Sequence, residues 1–151
     1  MTTEAPKPTQ VNLTIDGTPV AVAPGTNIIE AGHKVGKFVP HFCYHPGLTV
    51  VGQCRMCFVE IEGMPKLATA CSTQVTEGMK VLTESPKVKA GQNSTLEFTL
   101  LHHPLDCPIC DRGGECKLQD YTYEFGPPLS RMHDEKKEWD KHRAISEEVV
   151  L

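Results

Sequence analysis

Seven cysteines and one histidine constrain this chain more than anything else in its 151 residues. Cys43, Cys54, Cys57 and Cys71 follow the spacing C-x10-C-x2-C-x13-C, and Cys107, Cys110 and Cys116 the spacing C-x2-C-x5-C. His103 stands ahead of the second group as H-x3-C, with His102 beside it as a competitor that spacing alone does not separate. Seven cysteines and one histidine make two sets of four, and no cysteine is left over. Four is the ligand number of a tetrahedral structural zinc and equally of an iron–sulfur cluster. A disulfide framework fits less well. Seven is odd, and the opening MTTEAPKPTQ lacks the apolar core of a secretory signal. The same stretch has no arginine and carries Glu4, unlike a mitochondrial presequence. The expected setting is reducing, where clustered cysteines bind metal or do redox chemistry.

Composition agrees with small, metal-stapled modules. Hydrophobic residues make up 39% and aromatics only 6%, lean for one large core, and cores this small are marginal without a staple. A net charge of −4 gives no reason to expect a nucleic-acid partner. No apolar run approaches eighteen residues, so no membrane span is expected. Neither G-x-G-x-x-G nor G-x4-G-K occurs, so no nucleotide site is expected.

Residues 1–9, rich in Thr, Pro and Lys, are expected to be disordered. Val11, Leu13 and Ile15 then alternate with polar residues, Asp16-Gly17 is a strong hairpin signal, and Val20 and Val22 resume the alternation, giving strands over about 10–15 and 18–23. Pro24-Gly25 breaks the pattern. Thr26 or Asn27 can cap a short helix to about Lys34, with Gly36 past its end. Residues 38–57 form a long loop that carries three cysteines, as functional loops do. Phe58 to Ile61 predicts a strand, Lys66 to Ala70 a second that delivers Cys71, and Met79 to Thr83 a last one. Hairpin, helix, ligand loop and further strands are the β-grasp order. Within 86–102 the alternation of Leu96, Phe98 and Leu100 suggests a strand, but the length, the Ser85-Pro86 start and the spacing of Val88, Leu96 and Leu100 predict a helix ending before Pro104. A short helix is expected from Cys116 to about Tyr123, ended by Gly126-Pro127-Pro128. The tail from Arg131 is mostly charged and is expected to lean on a partner or be loosely held.

The residues alone weigh zinc against iron without closing the question. Gly52 near Cys54, and Pro108 with Gly113-Gly114 among the later ligands, let backbone N–H groups approach sulfides, which zinc sites lack. Zinc ribbons also present paired C-x2-C knuckles, and neither set here has two. Arg55, between two ligands, either favours a reduced cluster or simply faces solvent. His33, His41, His45, His133 and His142 read as structural. Met56 and Met64 read as packing residues, and Tyr121, Tyr123, Phe125 and Trp139 as core or interface aromatics.

CYHPGLTVVGQCRMCFVEIEG, TACST with Cys71, and LLHHPLDCPICDRGGECKLQDYTYEFG resemble the N-terminal part of the large iron–sulfur subunit (the G subunit, or 75 kDa type) of NADH–quinone oxidoreductase, respiratory complex I. The resemblance covers about residues 10–150. It implies an α+β chain. A β-grasp 2Fe–2S ferredoxin-like domain over 10–85 would be bound by Cys43, Cys54, Cys57 and Cys71. A small helical 4Fe–4S domain over 86–130 would be ligated by His103, Cys107, Cys110 and Cys116, and a charged tail over 131–151 would lead to a missing C-terminal region. The C-x10-C spacing departs from the plant ferredoxin C-x4-C but suits this family. The family's H-x3-C pattern selects His103 and leaves His102 as a helix-end residue.

The resemblance implies an electron relay without its own substrate site or catalytic residues, part of an oxidoreductase that carries electrons from an NADH/flavin site toward quinone. The implied partners are other peripheral-arm subunits of complex I, above all the flavin-bearing, NADH-binding one. The implied location is peripheral, on the cytoplasmic face of a bacterial inner membrane. The relay modules of iron-only hydrogenases and NAD-linked formate dehydrogenases are the nearest alternative, and a structural zinc module for assembly is the alternative of another class. The chain is expected to be a fragment.

Overall fold

The computed structural model describes residues 10–137. Residues 1–9, and Trp139 and His142 of the charged tail, lie outside the described residues. β1 (Val11–Ile15) and β2 (Thr18–Val22) form an antiparallel hairpin with Val11 opposite Val22 and Ile15 opposite Thr18. Asp16 (φ 48°) and Gly17 (φ 80°) are both left-handed, which gives the turn the twist a two-residue hairpin needs. Alternation does the rest: Val11, Leu13 and Ile15 are buried, and their neighbours are not.

α1 (Ile28–Lys34) is capped by Asn27, whose side-chain oxygen accepts the Glu30 N–H at 2.9 Å. Ile28, Ile29 and Ala31 face inward. β3 (Phe58–Ile61), β4 (Ala68–Thr69) and β5 (Met79–Leu82) complete a five-stranded mixed sheet in the order β2-β1-β5-β3-β4. β5 lies parallel to β1 and antiparallel to β3, so the last strand fills the middle of the sheet. That arrangement is the β-grasp order. The return strand expected over 66–70 is only two residues long, although the Ala70 N–H still donates to the Cys57 carbonyl at 2.9 Å. Met64 is about half exposed at the β3–β4 turn, which corrects its reading as a packing residue. Leu13, Ile15, Val22, Ile28, Val59 and Val81 anchor the core.

α2 (Pro86–Leu100) is a helix for the reasons visible in sequence: Ser85 Oγ accepts the Val88 N–H at 3.2 Å and Pro86 opens the first turn. Val88, Gln92 and Leu96 form its buried stripe, while Phe98, which a strand would have aligned with Leu96, is 79% exposed. The helix packs on β3. Gly91 permits the approach, because a Cβ there would lie 2.6 Å from Leu67 Cδ1, and Gln92 Nε2 donates to the Phe58 carbonyl at 3.3 Å. After a 3-10 turn at Cys107–Ile109, α3 (Lys117–Phe125) packs against α2. Met56, Leu96 and Tyr121 form a second small core, joined by Phe42, Cys54, Leu118 and Phe125. The described part of the tail folds back on α2: Arg131 pairs with Glu97, and Lys136 Nζ donates to the Leu100 carbonyl at 2.5 Å, a cation at a helix C-terminus. No helix among the described residues is long and apolar enough to cross a membrane.

Candidate metal centres

The loop between α1 and β3 has little regular backbone pairing of its own, so side chains hold it. Tyr44 Oη donates to Glu30 at 2.7 Å and accepts from Asn27 Nδ2 at 3.0 Å, tying the residue after Cys43 to the start of α1. His41 Nδ1 lies 2.7 Å from the Val39 carbonyl, and since a carbonyl only accepts, that nitrogen carries the proton. Gly52 (φ 64°) and Arg55 (φ 58°) bracket Cys54 in left-handed conformations. For arginine this costs about 1–2 kcal/mol, strain of the kind that gathers at functional sites. The turn it makes brings the N–H groups of Gln53 and Cys54 toward Cys43. Arg55 itself is exposed.

Electrostatics sorts the upstream cysteines into two pairs. Burial pushes the Cys43 thiol up. The N–H and thiol of Cys54, the N–H of Gln53 and its own N–H together outweigh this and hold it below the usual thiol range. Burial pushes Cys57 up to about 12; the Cys71 N–H opposes this, and the thiol and charge of Cys71 and the charge of Cys54 reinforce it. Cys43 thus faces Cys54, and Cys57 faces Cys71, with Cys54 near enough to Cys57 to be felt. Cys57 and Cys71 are each 2% exposed, and Cys43 and Cys54 are half-buried.

The downstream four are strung along one connection. His103 follows α2, its N–H donating to the Leu100 carbonyl at 3.2 Å. Cys107 opens the 3-10 turn, Cys110 closes it, and Cys116 stands at the N-cap of α3 with no capping bond from its side chain. The chain doubles back tightly at Gly113, where a Cβ would lie 2.7 Å from the Cys107 carbonyl oxygen and 3.1 Å from that of Cys110. Cys107 and Cys110 are exposed. His102 Nδ1 accepts the Lys137 N–H at 3.4 Å, a helix-end contact. Among the described residues no three His, Cys, Asp or Glu side chains are drawn up around a single ion. The donors fit iron–sulfur chemistry: thiolates in both sets, one imidazole, and glycines that leave room beside them.

Residues 8–86, more than half of the chain, match the family described as 2Fe-2S iron-sulfur cluster binding domain. The chain belongs to this 2Fe–2S cluster binding family. Residues 92–131 match a second description, the NADH-ubiquinone oxidoreductase-G iron-sulfur binding region, and the two matches together indicate one 2Fe–2S and one 4Fe–4S cluster. Over 127 residues, 84% of the chain, this 2Fe–2S domain protein is 47% identical to the G subunit of the NADH-quinone oxidoreductase of Rickettsia bellii. It is also 47% identical to the NADH-ubiquinone oxidoreductase 75 kDa subunit of Reclinomonas americana, over the same share of the chain. It spans only 19% and 18% of those relatives. The crystal structure of an NAD+-reducing [NiFe]-hydrogenase superposes with a TM-score of 0.71 at 25% identity, covering 84% of this chain and 55% of that one.

Sequence reasoning named eight candidate ligands and read Tyr121 and Met56 as core or packing residues, but did not show which stretch of chain they face. Tyr121 Oη reaches the His41 carbonyl at 3.2 Å across eighty positions of sequence, and Phe42 and Met56 pack in the same small core. No local pattern signals such a contact.

Proposed function

We propose that this chain is an electron-relay module of an NADH–quinone oxidoreductase. In this reading Cys43 and Cys54 hold one iron of a 2Fe–2S cluster and Cys57 and Cys71 the other. That cluster belongs to a 2Fe–2S domain over 10–85, and His103, Cys107, Cys110 and Cys116 hold a 4Fe–4S cluster in a helical domain over 86–130. The observation that carries it is the match of residues 8–86 to a 2Fe–2S cluster binding family and of residues 92–131 to an iron–sulfur binding region, each spanning one of the two cysteine groups. When bound, such clusters supply one-electron transfer. The protein's part is to fix their positions and tune their potentials. Burial of Cys57 and Cys71 keeps water from one half of the site. Neutral His103 in place of a thiolate leaves the second cluster with one less negative charge, an exchange that raises potentials in Rieske centres.

The names of the Rickettsia and Reclinomonas relatives support placing the chain in an NADH–quinone oxidoreductase. In this reading it belongs to the peripheral arm, beside the flavin-bearing, NADH-binding subunit and at the cytoplasmic membrane face, and the Rickettsia relative favours a bacterial setting. The hydrogenase superposition favours a second reading, the relay of an NAD-linked hydrogenase. Anaerobic purification tests the relay. About six irons per chain with matching acid-labile sulfide, and EPR signals on reduction, are the expected result. A colourless, zinc-replete protein would overturn it.

A further inference from the structure

We infer that Tyr121 of α3 is a positioning residue for the upstream ligand set, an inference that rests on the iron–sulfur reading of that set. The loop over 38–57 is neither helix nor strand, so its shape is imposed from outside. Tyr44 ties it to α1, and Tyr121 ties it to α3. Tyr121 is 6% exposed, and its hydroxyl donates to the carbonyl of His41, two residues before Cys43. Its ring centroid lies 5.0 Å from that of Phe42, next to Cys43, and meets Phe125 edge-on at 5.7 Å. Met56, fully buried between Cys54 and Cys57 in sequence, shares this small core, and Cys54 packs against it. A ring from one module therefore supports the stretch that carries three ligands of the other. A buried tyrosine combines a rigid apolar body with one directed bond, which suits it to hold a loop in register.

The alternative is that Tyr121 is only a core residue, and Tyr121→Phe separates the two, because it keeps the ring and removes the single bond to the loop. The full chain is purified anaerobically as wild type, Y121F, Y121L and L96A. Leu96 lies in the same core on α2, so L96A removes core volume and leaves the hydroxyl in place. The expected result is a shifted EPR signal for the reduced 2Fe–2S cluster in Y121F and chelator-driven loss of its iron roughly fivefold faster, the effect of one hydrogen bond. Y121L should change both further. L96A should lower the thermal midpoint with the 2Fe–2S g-values unchanged. A wild-type chain without a 2Fe–2S signal overturns both the relay reading and this inference. A wild-type signal and iron-loss rate that Y121F leaves untouched overturn the inference alone, as does an L96A signal shifted as far as that of Y121F. If Y121L does not fold, Y121F decides.

Discussion

Gly113→Ala should empty the second ligand set while sparing the first. The added Cβ would stand 2.7 Å from the Cys107 carbonyl oxygen, whereas ordinary contact begins at 3.4 Å, so that oxygen must retreat by about 0.7 Å. The Cys110 oxygen, at 3.1 Å, must give as well. Both are backbone atoms of proposed ligands, and no flexible side chain can absorb the displacement. Overpacking of this kind costs typically about 1–3 kcal/mol, which converts to roughly 5- to 150-fold weaker retention of the cluster. Gly114 is the control. It sits at φ 91° with nothing within 4 Å of where a Cβ would stand, so Gly114→Ala strains only its own backbone, by about 1–2 kcal/mol. Iron and acid-labile sulfide are measured per chain, with EPR of each reduced cluster. G113A should fall from about six irons toward about two with the 2Fe–2S signal intact. G114A should lose iron more readily but show an unaltered 4Fe–4S signal. A G113A protein that keeps its full iron and an unchanged 4Fe–4S spectrum would refute the reasoning, because the cluster would then be held by a loop of some other shape.

Three further perturbations test other parts of the fold and the site. His103→Cys restores a fourth thiolate, and the midpoint potential of the 4Fe–4S cluster should become more negative; an EPR redox titration showing an unchanged or higher value rejects the tuning role. Asp16→Ala loses two bonds from Thr83, its N–H at 2.8 Å and its hydroxyl at 2.5 Å, and places alanine in a left-handed turn. Urea unfolding followed by far-UV CD should show a loss of about 2–4 kcal/mol, against about 1 kcal/mol for Asp16→Asn, which tolerates the turn and keeps the N–H bond. Gln92→Leu leaves the Phe58 carbonyl without its partner under α2 and should cost about 1–3 kcal/mol. Because Phe58 follows Cys57, its 2Fe–2S cluster should also be lost faster to a chelator; a stability equal to wild type would count against the packing described.

Local signals were legible and non-local ones were not. Asp16-Gly17 announced the hairpin because two left-handed residues are a local requirement. Ser85-Pro86 announced α2 because capping is local too, and length overruled the strand-like alternation at Leu96, Phe98 and Leu100. Nothing in residues 79–82 says that they will slot between β1 and β3, since one of those partners, β1, lies more than sixty positions away in sequence. Met64 misled because an apolar residue at a turn has no periodicity to place it. The eight proposed ligands were legible from spacing and family likeness, since a donor set must recur at fixed intervals. The pairing of Cys43 with Cys54 and of Cys57 with Cys71 needed the folded loop, and Tyr121 needed α3 docked on it.

α2 also acts as a ruler. It lies against Phe58, beside Cys57, near its middle at Gln92, and it delivers His103 just past its end. Eight helical steps carry the chain from Gln92 to Leu100, roughly 12 Å at the rise of an α-helix, and His103 follows three positions later. Electron tunnelling weakens steeply with distance, and a flexible linker would spread that distance over a range. A packed helix narrows it to one value, so one residue inserted between Gln92 and Leu100 would move His103 by about 1.5 Å and swing it by about 100° around the axis. Both ligand motifs would read as before, while the electronic coupling between the sites they hold would not.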